Sequence, residues 1–115
     1  MLIYVGLHVV LSPGIYNLTE TLTLKHKGQT LLGIGLASLV APLDGSPCIA
    51  VAKGVGGVRV AGIMLQAGLS DPSQKAVPVS TILDWGERGD PGDPAEPGVL
   101  SDIFVRVGGP VRYST

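Results

Sequence analysis

The segment Leu31-x-Gly33-Ile34 returns as Val60-x-Gly62-Ile63 after 29 positions. The second copy extends through Val60, Gly62, Ile63, Leu65 and Gly68 onto Leu100, Asp102, Ile103, Val105 and Gly108, at an offset of 40. Within that interval lies GERGDPGDPAEPG, Gly86–Gly98, a 13-residue low-complexity stretch whose subtraction leaves 40 − 13 = 27. Leu22 and Leu24 likewise precede Ile49 and Val51 by 27. A recurrence of this length, made of apolar alternation and glycine, requires each repeat to bury its face against the next.

Between the repeats the chain offers strands and no helices. HVVL, TLTL, QTLLGI, CIAVA, VRVAGIML, STILDW and DIFVRV are short alternating or apolar runs bounded by turn formers. No window of a dozen residues keeps a helical apolar stripe free of Gly or Pro. With 17 Gly and 9 Pro in 115 residues and 45% hydrophobic residues, the composition fits many short elements joined by tight turns. A repeat of several strands without a helix predicts an all-β fold, a parallel β-helix whose strands stack on those one coil away. TLTL is then expected to pair with IAVA, 27 residues on. Leu22, Leu24, Ile49, Val51, Val58 and Val60 are expected to point inward as ladders, and Thr21, Thr23 and Arg59 outward. Gly33 and Gly62 are expected at corners. Leucine-rich repeats share the period, but their Asn/Cys ladder and helical half are missing. An antiparallel sandwich is disfavoured because no Asn-Gly or Asp-Gly hairpin separates neighbouring strands.

Several function classes recede on composition. Formal charge is −1 with no basic stripe, so nucleic acid is not an expected partner, and with 4% aromatic residues there are few stacking platforms for bases or sugars. MLIYVGLHVVL lacks a basic n-region and is far shorter than a membrane span, so it is read as a strand. Cys48, the single cysteine, allows no internal disulfide and is read as an inert core thiol. Gly33-x-Gly35 lacks the third glycine and the helix of a dinucleotide-binding turn, and Gly54-Val-Gly-Gly reads as a turn between coils. His8 and His26 have no partners at metal-ligand spacing; no metal or cofactor is expected. Asn17-Leu18-Thr19 is a sequon whose default reading is chance.

VVLSPGIYNLTETLTLKHKGQTLLGIGLASLV resembles the opening coils of the pectate-lyase superfamily of right-handed β-helices. The resemblance is carried by Val9, Val10, Leu11, the Pro13-Gly14 turn with Tyr16 after it, Leu18, Leu22, Leu24, and the Leu31-Leu32-Gly33-x-Gly35 corner before Ala37. The continuation, VRVAGIMLQAG and LSDIFVRVGG, is similar to the branch related to family-55 glycoside hydrolases, the β-1,3-glucanase-like proteins. The resemblance implies a right-handed single-stranded parallel β-helix of about four coils. Residues 1–115 would form a single partial domain with a Gly/Pro/acidic insertion at 86–98. It further implies an extracellular protein with a polysaccharide partner. Relatives of this kind are much longer, so the chain looks like an early-coil fragment, completed by missing coils or self-associating through open ends. The family's catalytic carboxylates lie on later coils, and no position here matches them.

Read on their own chemistry, the carboxylates that deserve testing are Asp84, Glu87 and Asp102, with Asp71 on a neighbouring coil, because glycoside hydrolysis usually uses two across one bond. Trp85 could stack on a sugar ring with Asp84 hydrogen-bonding a hydroxyl; the plainer and preferred reading makes Trp85 a hydrophobic cap and Asp84 a turn residue. The stretch 86–98 holds Glu87, Asp90, Asp93 and Glu96, but its spacing matches no calcium loop, and a solvated excursion is expected. Three functions stay open: a carbohydrate-active enzyme of which this is one part, a non-catalytic polysaccharide-binding module, and a structural scaffold. An outward groove of acids and aromatics would favour the first two.

Overall fold

The computed structural model describes residues 2–5, 8–67, 73 and 75–107. Among them there is no helix, and the strands are β1 (Leu2–Val5), β2 (His8–Leu11), β3 (Ile15–Asn17), β4 (Leu22–Leu24), β5 (Thr30–Val40), β6 (Ile49–Val51), β7 (Arg59–Gln66), β8 (Leu83–Trp85) and β9 (Val99–Arg106). They form two sheets. One has the order β1-β2-β5-β7-β9 with β3 also paired to β5; the other has the order β4-β6-β8. Every pairing except β1–β2 is parallel. The chain is a parallel β-helix.

The larger sheet bends at one corner and so supplies two of three walls. The first wall is β2 with the opening halves of β5, β7 and β9; the second is β3 with their closing halves. β4, β6 and β8 make the third. Leu22 pairs with Ile49 and Leu24 with Val51, the 27-residue register that the repeat predicts. Inward rows then run Val9–Leu31–Val60–Leu100, Tyr16–Leu39–Leu65–Val105 and Leu24–Val51–Trp85. Leu31, Leu39, Ile49, Val58, Val60, Ile63 and Leu65 are fully buried. Each such side chain removes about 1.5–3 kcal/mol worth of apolar surface from water. A three-residue strand could not hold itself together; the ladder does it instead. Thr23 and Arg59 face solvent as expected. Thr21 does not: it is half-buried, and its hydroxyl donates to the Pro47 carbonyl at 2.7 Å.

Three features differ from the sequence reading. The apolar start is not one strand but two, β1 antiparallel to β2 with Val5 opposite His8. This pairing gives the edge of β2 away from β5 backbone partners. Second, Ile34 does not stack on Ile63. Ala37 takes that place, and Ile34, Gly35 and Leu36 bulge out of β5. The bulge packs on the preceding coil's Pro-Gly corner: a Cβ on Gly35 would come within 2.8 Å of the Pro13 ring. The Pro-Gly turn and the Gly-x-Gly motif are therefore successive levels of one corner. On the next two coils a single residue turns that corner, Gly62 at φ +70° and Asp102 at φ +51°. Third, Ile49 pairs with Leu83, an offset of 34, because the connection after β7 lengthens that coil.

A charged cleft with the single tryptophan

Three turns that leave the third wall stack over one another. Lys25–Gln29 follows β4, Ala52–Val58 follows β6, and Gly86–Gly98 follows β8. Gln29 organises the first: its side-chain oxygen accepts from the Lys25 and His26 backbone N–H groups at 3.2 and 3.3 Å. The turns then bond in series, Gly28 N–H to the Gly56 carbonyl and Gly57 N–H to the Glu96 carbonyl, both at 2.9 Å.

Between them lies a cleft of about 790 Å³. Lys25, Lys27 and Lys53 line it together with Glu87, Asp90, Asp93 and Glu96 of the loop and with Trp85. Trp85 sits in register with Leu24 and Val51, so its indole continues an inward row, half-buried against the core. Gly98 crosses the ring so closely that a Cβ there would collide with the indole. The 86–98 stretch is mostly exposed to solvent, and its acidic residues also bond to the neighbouring turns. Glu87 pairs with Lys53 at 3.1 Å and Glu96 with Lys27 at 3.0 Å. Asp90 accepts from the Gly54 N–H at 2.9 Å and the Gly92 N–H at 3.1 Å, and Asp93 from the Ala95 N–H at 2.9 Å. Those backbone donors, with Lys53 adding a smaller attraction, hold the Asp90 carboxyl below the ordinary aspartate range.

The sequence candidates separate in space. Glu87 and Trp85 line the cleft; Asp84 and Asp102 do not. Asp84 is exposed at the outward-facing centre of β8, in a row with Thr23 and Ala50. Asp102 is exposed at the bend of β9, and Asp71 lies outside the described residues. Sequence reasoning missed the lysines and Gln29. One signal was available: Lys25 and Lys53 stand 28 apart, one repeat, each just beyond a strand of the third wall. Among the described residues no group of three or more His, Cys, Asp or Glu is placed to hold a metal ion.

Stacked walls of parallel strands with a polar groove along one corner define a β-helix of the pectate-lyase kind. The chain belongs to the LAM55 pectate lyase-like domain family, whose model matches residues 2–115. It is 35% identical over 105 residues to an exo-beta-1,3-glucanase of Streptomyces sp. (strain SirexAA-E / ActE). That alignment covers 90% of this chain and 16% of the relative, so the chain spans about a sixth of that protein's length. No solved structure matches the chain.

Proposed function

We propose that the chain is a glucan-contacting module of an extracellular carbohydrate-active β-helix protein, and that it binds sugar without supplying a complete catalytic pair. The observation that carries the reading is the cleft, which joins the single tryptophan to a row of charged hydrogen-bonding groups, in a chain related to a glucanase. An indole face offers a sugar ring apolar C–H contact, and lysine and carboxylate groups accept or donate to its hydroxyls. The carboxylates are ill-suited to hydrolysis. Glu87 and Glu96 are committed to lysines. Asp90 is held low, the opposite of the raised value a general acid needs.

Titration with soluble β-1,3-glucan, with pectate as a charged comparator and reducing-sugar release followed in parallel, tests this. Glucan binding without hydrolysis is expected. Trp85→Phe should weaken it roughly three- to tenfold, the scale of ~0.5–1.5 kcal/mol for an aromatic contact. A folded protein that ignores glucan, or that hydrolyses it, would overturn the proposal. A scaffold role is the second reading, favoured by the inward seat of Trp85; absence of binding to either polysaccharide would select it.

A further inference from the structure

The connection 86–98 begins beside Trp85 and ends with Gly98 against the same ring, so its two ends meet while Glu87, Asp90 and Asp93 between them line the cleft. Its roots are held by backbone bonds: Gly86 N–H to the Val51 carbonyl at 2.8 Å, Gly57 N–H to the Glu96 carbonyl at 2.9 Å, and Val99 N–H to the Val58 carbonyl at 2.9 Å. Its middle is held differently. The described contacts that carry residues 87–95 across to another turn are Glu87 to Lys53 and Asp90 to the Gly54 N–H, both on adjacent residues of the 52–57 turn. The described bonds of Asp93 stay within the connection, its carboxylate accepting from the Ala95 N–H and its carbonyl from the Glu96 N–H. Gly86, Gly89 and Gly92, at φ +69°, +91° and +69°, supply backbone freedom along the connection.

We infer that residues 87–95 are a strap, closed over the cleft by the Lys53–Glu87 and Asp90–Gly54 contacts and opened when those contacts are screened or neutralised. Exposed ion pairs and a single exposed charge-assisted hydrogen bond are weak and sensitive to salt. The strap therefore opens and closes around roots that stay in place. The other charged groups lining the cleft around the latch are Lys25 and Lys27 on the first turn, Asp93 on the strap and Glu96 at its root, with Arg88 next to Glu87 in the chain. Asp90 titrates below its ordinary value in the closed form, so its contribution is present above that value and lost as pH falls through the lowered one. Protonation of Asp90 removes its charge-assisted hold on the Gly54 N–H and its attraction to Lys53, which favours opening. The inference concerns access to the cleft and does not rest on what the cleft binds.

Arg88 is the only Lys or Arg between Gly86 and Gly98, so tryptic cleavage after it reports the strap alone. Acrylamide quenching of Trp85, the single tryptophan, reports the cleft. In the unaltered 115-residue protein, raising salt at neutral pH is expected to increase both by roughly twofold or more, and acid should raise quenching likewise. Asp90→Ala and Lys53→Gln should show the raised values already at low salt and little further response, with β-sheet circular dichroism unchanged. Asp93→Ala should behave as the unaltered protein. Cleavage and quenching that are insensitive to salt in the unaltered protein would overturn the inference. So would an Asp93→Ala effect equal to that of Asp90→Ala. If Asp90→Ala loses its sheet signal, the salt and pH titrations of the unaltered protein decide alone.

Discussion

Gly62 shows how one position is constrained twice. Its φ of +70° lies where L side chains are strained, and a Cβ there would meet the Gly33 carbonyl oxygen at 2.5 Å. Gly28 shares the backbone conformation, φ +71°, but faces open space. Gly28→Ala should therefore cost about 1 kcal/mol, the left-handed term alone. Gly62→Ala should cost roughly 3 kcal/mol, because backbone rather than a flexible side chain blocks it. Chemical denaturation of the two variants measures the difference. Asp102 occupies the equivalent corner one coil on at φ +51°, a conformation Asp tolerates better than most residues. Cys48 is a second case. Burial pushes its thiol up to about 11, against the opposing effect of a backbone hydrogen bond from Gln66. A thiol-specific disulfide reagent at pH 8 should leave the native protein unlabelled and label it stoichiometrically in denaturant. Because the folded value exceeds the unfolded one, the group's contribution is intact below the unfolded value and is lost as pH rises towards 11.

At the scale of elements, strands proved more legible than connections. The short TLTL and IAVA runs found their register because two apolar positions recur at 27 residues, and a one-residue slip would turn both to solvent. The Ile34–Ile63 match failed for a reason no pattern carries. Apolar type alone cannot say whether a residue continues a ladder or stands out from a corner, and Ile34 and Leu36 are 53% and 62% exposed. The connections to the next coil's first wall lengthen from five residues after β4 (25–29) to seven after β6 (52–58) and 13 after β8 (86–98). Since longer loops add little closure cost, cutting the third to the length of the second should preserve the fold. The melting temperature is expected to move by only a few degrees, and the tryptic site at Arg88 to disappear with the excised residues. Loss of sheet signal in that variant would mean the strap supports the stack.

At the scale of the whole molecule, β9 is the last strand of the ladder among the described residues. Leu100 and Val105 are 49% and 53% exposed, although the residues they stack on, Val60 and Leu65, are buried to within 1%. Phe104 and Val99 add apolar surface beside them. A parallel edge of this kind, studied in the 115-residue chain by itself, should associate with increasing concentration. Val105→Lys should reduce that association in sedimentation velocity without lowering the far-ultraviolet sheet signal. A monodisperse monomer at high concentration would contradict it.

The sequence by itself determined the winding, because burial is repaid only when apolar residues at a near-constant spacing meet, and that spacing is written into the chain. It determined the inward rows through Leu24, Val51 and Val60 for the same reason. What only the tertiary structure decided is the cleft. Lys27, Lys53, Glu87, Asp90 and Glu96 come from turns whose lengths differ on every coil, and beyond the 28-residue spacing of Lys25 and Lys53 these polar residues carry no periodic signature. Their juxtaposition follows from the stacking of the strands before them, a contact between coils that no local stretch of sequence contains.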